Sequence, residues 1–163
     1  MLKTLVLPVL LMVLVSCHTT TYYFVRHAEK QTTNTMTSDV PLSPAGEQHA
    51  IELKDLLLDK GIHYIYSTNY SRTLSTAEPL RRALGITIRL YDTKDTLDRF
   101  IDEIRKIKDG SVLIVGHANT LPAIINRLTG RTCLNSNLPD SAYDNLFVVT
   151  KKNNQYQFER KTY

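Results

Sequence analysis

The chain has 163 residues, 42% of them hydrophobic, with 20 Lys or Arg against 16 Asp or Glu and a formal net charge of +4. That length carries one domain with a sizeable core. The charge is neither the excess of a disordered chain nor that of a strongly basic nucleic-acid binder, so no nucleic-acid partner is expected, and two cysteines are too few for a disulfide scaffold.

The opening stretch, MLKTLVLPVLLMVLVSC, sets one Lys before a nearly unbroken apolar run, which is the pattern of an export signal. Leu5 to Val15 is 11 residues long and contains Pro8, against the roughly 18 that a spanning helix needs. Leu14-Val15-Ser16-Cys17 resembles the cleavage box of bacterial lipoproteins. By that resemblance residues 1–16 are a signal peptide, Cys17 is the lipid attachment residue, 17–19 are a tether and 20–163 are the domain. The product is then an exported lipoprotein anchored in the cell envelope, at the periplasmic face or the outer membrane. Several acyl chains on one terminus give durable attachment where a single chain is marginal. Cleavage leaves 147 residues, the 163 less a leader of 16, and Cys133 as the remaining thiol. No structural disulfide is expected.

Thr20 to Val25 is a β-branched and aromatic run that ends in Arg26-His27-Ala28-Glu29-Lys30, a buried strand delivering a polar loop. After a long polar stretch, Ser43 before Pro44 marks a helix start, and the helix runs from about 44 to 60 and closes at Gly61. Ile62 to Tyr66 reads as a second strand. Asn69 or Ser71 can cap the next helix, which carries Leu74, Ala77, Leu80 and Leu84 before Gly85. Ile86 to Tyr91 is a third strand, Leu97, Ile101, Ile104 and Ile107 mark a third helix, and Ser111 to Val115 is a compact apolar strand. A helix over Leu121 to Leu128 follows, then a terminal pair, Asn145 to Lys151 and Gln155 to Arg160, around an Asn-Asn turn. Alternating strands and helices predict an α/β protein, one twisted, mainly parallel sheet with helices on both faces. Ligands in such a fold approach the carboxyl ends of the strands.

The reactive residues stand where that fold puts its chemistry. Arg26 and His27 follow the first strand, Arg72 the second, and His117 follows Ile114-Val115-Gly116. Two guanidinium groups can hold a phosphoryl group through directed, charge-assisted hydrogen bonds. One imidazole can attack phosphorus while another stabilises the oxygens.

Over residues 20 to 151 the chain resembles the histidine phosphatase superfamily, the phosphoglycerate-mutase-like enzymes. The likeness rests on Arg26-His27-Ala28, Pro41-Leu42-Ser43-Pro44-Ala45-Gly46, Ser67 to Thr73 with Thr76-Ala77, and Gly116-His117-Ala118-Asn119-Thr120. Any one is weak, but four in order are specific. The resemblance implies a three-layer α/β/α sandwich and a cofactor-free phosphatase acting on a small phosphorylated substrate. It implies His27 as the nucleophile that is transiently phosphorylated, Arg26 and Arg72 as the phosphate clamp, and His117 as a donor to the transferring group.

The general acid is less defined. Related enzymes that cleave ordinary esters use a carboxylic acid after the third strand, because an alkoxide leaves poorly without a proton. Asp92, directly after Leu90-Tyr91, is the first candidate and Asp95 the second. If neither reaches the leaving oxygen, good leaving groups should be preferred, as in the phosphohistidine-specific branch. Asn34 is a further phosphate contact by the same resemblance. Asn119 either bonds the active-site loop or caps a helix. Glu29 either pairs with the arginines or faces solvent, and Lys30 either extends the positive field or lies on the surface.

No metal site is expected, since the sequence has no HExxH pattern or Cys pair. It has no GxxxxGK[ST] or GxGxxG motif either. A mutase fits less well than a phosphatase, because the segment between Arg72 and His117 is too short for a large specificity insertion. A lipoprotein that keeps the fold as a non-catalytic binding module is the alternative of a different class. Oligomeric state is not legible.

Overall fold

The structure is a computed structural model in which residues 18–32, 39–94 and 97–163 are described. Residues 1–16, expected to be a signal peptide, and Cys17, Asn34 and Asp95 lie outside the described residues. Six strands and four helices run in the order β1 (Thr19–Arg26), α1 (Pro44–Leu57), β2 (Ile62–Ser67), α2 (Ser71–Leu84), β3 (Ile88–Leu90), α3 (Leu97–Arg105), β4 (Gly110–Gly116), α4 (Leu121–Thr129), β5 (Asn145–Lys152) and β6 (Gln155–Thr162). Among the described residues no helix is long and apolar enough to cross a membrane.

The strands form one sheet in the order β3-β2-β4-β1-β5-β6. The β1–β4, β2–β4 and β2–β3 pairs are parallel. Both β1–β5 and β5–β6 are antiparallel, so the terminal hairpin extends a parallel core into a mixed sheet. Asn153 and Asn154 close that hairpin at positive φ (50° and 61°), which asparagine tolerates in a two-residue turn.

Alternation along the strands builds the three layers. Tyr22, Phe24, Val112, Ile114, Phe147 and Val149 face α3 and α4. Their neighbours Val25, Leu113, Val115, Leu146 and Val148 face α1 and α2. Both faces are covered, so β4 is an unbroken apolar run. Phe24, Leu113, Ile114 and Val115 are completely buried, and each contributes about 1.5–3 kcal/mol through the apolar surface it removes from water.

Several boundaries differ from the sequence reading: β3 is Ile88–Leu90 where 86–91 is expected, and α3 ends at Arg105 where the apolar spacing runs to Ile107. The first helix stops at Leu57, because the chain turns at 58–60 to reach Gly61, whose φ is +62°. Its start is as expected: the Ser43 side chain accepts from Gly46 N at 3.1 Å and Pro44 opens the helix. Neither Asn69 nor Ser71 caps α2. The N-cap is Tyr70, which makes no side-chain cap bond. Asp39 supplies the cap from elsewhere in the chain, accepting from Ser71 N (2.8 Å) and Ser71 Oγ (2.7 Å). A carboxylate there also complements the positive end of the helix dipole.

The chain passes from β1 to β2 and β3, then returns to insert β4 between β2 and β1. The carboxyl ends of β1 and β4 therefore lie side by side, with Arg26 in register with Gly116. This reversal of strand order opens the crevice in which the site lies.

Candidate active site

His27 leaves β1 with its backbone N–H on Gly116 O (2.9 Å), so the end of β4 positions it. It is 4% exposed. Its Nδ1–H donates to its neighbour's carbonyl, Ala28 O, at 2.8 Å. A carbonyl can only accept, so the proton resides on Nδ1 and Nε2 carries the lone pair. Burial draws the imidazole pKa down to about 3. The bond to Ala28 opposes that shift, while Arg26, Arg72 and His117 reinforce it. The ring is thus neutral and available for attack across the physiological range.

The loop is pinned from α2. Ala28 N donates to Thr76 Oγ1 (2.9 Å), which itself donates to Arg72 O (2.7 Å). One buried hydroxyl thereby ties the His27 loop to the turn that presents Arg72. From α1, Ser43 N donates to Glu29 O at 2.8 Å.

Arg26 is 4% exposed and held by a distant segment. Its Nη1 donates to Pro139 O (3.0 Å) and Asp140 O (2.9 Å). Its Nη2 lies 3.4 Å from Tyr143 Oη and 3.8 Å from Asp140 Oδ1. The Tyr143 ring covers the guanidinium at 4.1 Å. Nε is buried without a hydrogen-bond partner among the described residues. With Nη1 on two carbonyls and Nη2 on Tyr143 Oη, Nε is the donor of this guanidinium still unpaired among the described residues, and a buried donor left unpaired costs about 1–3 kcal/mol.

Arg72 stands in the first turn of α2, and His117 directly follows β4. Arg72 stacks on Tyr70 at 4.5 Å and lies 3.7 Å from Asp39 Oδ1. The His117 ring is 5.5 Å from that of His27 and 5.1 Å from that of Tyr70, edge-on to both. Its Nε2 is hydrogen-bonded to Thr68 Oγ1 at 2.9 Å. Burial, then Arg72 and Arg26, lower its pKa to about 4. Arg26, His27, Arg72 and His117 line one cavity of about 640 Å³, so the structure brings together the four residues singled out by the motifs.

The remaining candidates fall differently. Asp92 lines the same cavity, but its carboxylate accepts from Lys94 N at 3.0 Å. That bond is the main cause holding its pKa below the ordinary carboxylate value. Its side chain is exposed, and the lowered pKa favours the ionised form. Glu29 does not pair with the arginines: His49 Nδ1 donates to its Oε2 at 2.9 Å, because the loop runs back over α1. Asn119 lines the cavity and is exposed, and Thr120 rather than Asn119 is the N-cap of α4. Lys30 is exposed and bridges to Leu42.

Sequence reasoning missed Thr68, Tyr70, Tyr143 and Asp140. Thr68 and Tyr70 lie within the Ser67–Thr73 motif and could have been flagged by position. Tyr143 and Asp140 carry no local signal, since they act more than 110 positions from Arg26. Among the described residues no three His, Cys, Asp or Glu side chains converge to hold a metal ion.

Comparison with known proteins agrees with this geometry. Residues 22–93 match the family described as histidine phosphatase superfamily (branch 1). The probable phosphoglycerate mutase GpmB of Salmonella arizonae is 35% identical over 89 residues, 52% of this chain and 41% of that protein. The match thus spans about two fifths of the length of the curated relatives. Among solved structures, a provisional phosphohistidine phosphatase, SixA, from Agrobacterium tumefaciens aligns with a TM-score of 0.65 at 23% identity, covering 88% of this chain and 98% of that one. The phosphoglycerate mutase of Bacillus anthracis aligns with a TM-score of 0.60 at 18% identity, covering 88% and 93%. At these identities the structural likenesses establish a shared three-layer α/β/α architecture.

Proposed function

We propose that this chain, whose residues 22–93 match the histidine phosphatase superfamily (branch 1), is a member of it and a metal-independent phosphatase that hydrolyses a small phosphomonoester through a phosphohistidine at His27. The observation that carries the reading is a neutral His27, its Nε2 carrying the lone pair, in one cavity with Arg26, Arg72 and His117.

Arg26 and Arg72 bind the phosphoryl oxygens and orient phosphorus towards His27 Nε2. Nε2 attacks, the N–P bond forms, and the P–O bond to the leaving group breaks. His27 gains positive charge as it does so, and Ala28 O, holding Nδ1–H, steadies it. His117 and the two guanidinium groups stabilise the charge that develops on the equatorial oxygens. Water then attacks the phosphohistidine from the side the alcohol has left. The N–P bond breaks, the water proton passes to solvent, and phosphate departs as neutral His27 returns.

The leaving oxygen needs a proton in inverse measure to its own acidity. Asp92, held ionised by Lys94 N, favours substrates that leave readily. This observation supports phosphohistidine itself, or an activated phosphate, as a second substrate reading.

The test is hydrolysis of p-nitrophenyl phosphate by the parent and by His27→Ala, with an alkaline denaturing quench to trap an acid-labile, base-stable phosphoprotein. The expected result is at least about a thousandfold loss of turnover and no trapped phosphate in the variant. Equal phosphate release by both at matched folding ends the proposal.

For localisation we propose the lipid-anchored state expected from Leu14-Val15-Ser16-Cys17. Cys17→Ser should move the expressed protein from the membrane to the soluble fraction, and unchanged partitioning refutes the anchor.

A further inference from the structure

The cavity of about 640 Å³ is in the range that encloses a whole small molecule, so its walls beyond the phosphate clamp must read the leaving group. Once Arg26 and Arg72 meet the phosphoryl dianion and both histidines are neutral, the charged groups left on the wall among the described residues are Asp92, Lys94 and Asp140. Asp92 and Lys94 sit in one turn, joined by the 3.0 Å bond from Lys94 N to Asp92 Oδ1, and their opposite charges offset. Asp140 then sets the balance. Its carbonyl holds Arg26 Nη1 at 2.9 Å and its Oδ1 lies 3.8 Å from Nη2, so its carboxylate is carried at the margin of the clamp itself.

Among the described residues a carboxylate on the leaving group would therefore find one cation, Lys94, against two wall carboxylates. A hydroxyl would instead find the amides of Asn69, Asn119 and Asn137 on the same wall, which offer both donors and acceptors.

Building on the phosphatase reading, we propose that the site selects phosphomonoesters of neutral or ammonium-bearing alcohols over phosphorylated carboxylic acids, with Asp140 as the residue that sets this preference. The consequence separates this chain from what the name of its phosphoglycerate mutase relatives describes, since phosphoglycerate is itself a phosphorylated carboxylic acid.

Two matched pairs test it on the full chain. Glycerol 3-phosphate and 3-phosphoglycerate differ by a hydroxymethyl group against a carboxylate, and phosphoethanolamine and phosphoserine differ by the carboxylate alone. Two like charges about 6 Å apart, at an effective dielectric midway between protein surface and water, disfavour the carboxylate partner about sixfold. The expected kcat/KM ratio is thus about six in each pair, falling towards one in 1 M salt. Asp140→Lys should bring the ratio to one or invert it, and the ratio cancels any general loss of activity the substitution causes. Equal or better turnover of 3-phosphoglycerate, or a ratio that neither salt nor Asp140→Lys moves, overturns the inference. p-Nitrophenyl phosphate distinguishes the two failures, because no turnover of it refutes the phosphatase reading instead. The same pairs bound calorimetrically to His27→Ala then give the affinity ratio without turnover, with the same outcomes deciding.

Discussion

Replacing Gly46 with alanine sets helix propensity directly against tertiary packing. In the interior of a helix the change stabilises by about 1 kcal/mol, and Gly46 lies in the first turn of α1. Here, however, a Cβ would stand 2.1 Å from Glu29 O and 3.0 Å from Glu29 N. Raising 2.1 Å to the 3.0 Å floor of real contacts asks for a shift of about 0.9 Å, and the obstacle is backbone that cannot rotate aside. Glu29 O also accepts from Ser43 N at 2.8 Å, so the shift strains the α1 entry as well as the catalytic loop. Overpacking costs about 1–3 kcal/mol and a weakened hydrogen bond about 1. After the propensity gain, the net is a destabilisation of roughly 1–3 kcal/mol. Glu29 is two residues from His27, and a misplacement near 1 Å at reacting groups lowers rate about a hundredfold. Urea unfolding reads the first effect as a lower midpoint at constant slope, and kcat/KM on p-nitrophenyl phosphate reads the second. Gln48→Ala, on the exposed face of the same helix, should stay within about 0.5 kcal/mol. A Gly46→Ala protein with an unchanged or higher midpoint and kcat/KM within about twofold of the parent refutes the reasoning.

Three further outcomes follow from the same contacts. Thr76→Val preserves shape but removes the acceptor for Ala28 N; leaving that buried N–H unpaired should cost about 1–3 kcal/mol in urea unfolding and lower kcat more than it raises KM. Acid should destabilise the protein through His27 and His117, whose folded pKa values of about 3 and 4 lie below the ordinary 6.5. The unfolded chain takes up protons as pH falls below 6.5 while the folded chain does not, so stability present above 6.5 is lost on descent towards pH 4 and 3, by up to about 1.4 kcal/mol per pH unit for each ring. His27→Gln should flatten that dependence, and an unchanged slope in urea midpoints from pH 7 to 4 argues against a buried neutral imidazole. Asp92→Asn should change kcat/KM by less than about threefold on both p-nitrophenyl phosphate and glycerol 3-phosphate, because the carboxylate is exposed and ionised; a tenfold loss confined to glycerol 3-phosphate would make Asp92 the acid after all.

Local sequence determined much of this protein. The β-branched run ending at Arg26-His27, Ser43-Pro44 as a helix start, and Gly116-His117 after an apolar strand are short-range signals, because hydrophobic period, proline geometry and capping act within a few residues. They located β1, α1 and β4 to within a residue or a few at each end and identified the four residues that share the cavity. What they could not supply was the identity of partners. The insertion of β4 between β1 and β2 brings His27 against His117, and the return of residues 139–143 over the crevice gives Arg26 its carbonyls, its aromatic cover and the Asp140 carboxylate. In the same way, Glu29 meets His49 instead of an arginine, Asp39 caps a helix that begins 32 positions later, and Gly46 is required by a carbonyl rather than by its own helix. Such pairings depend on sheet order and loop return, which bring distant residues together only after the layers have packed. A residue's chemistry and its local geometry are written beside it in the chain, whereas its pKa, its hydrogen-bond partners and the charge facing the cavity belong to the assembled fold.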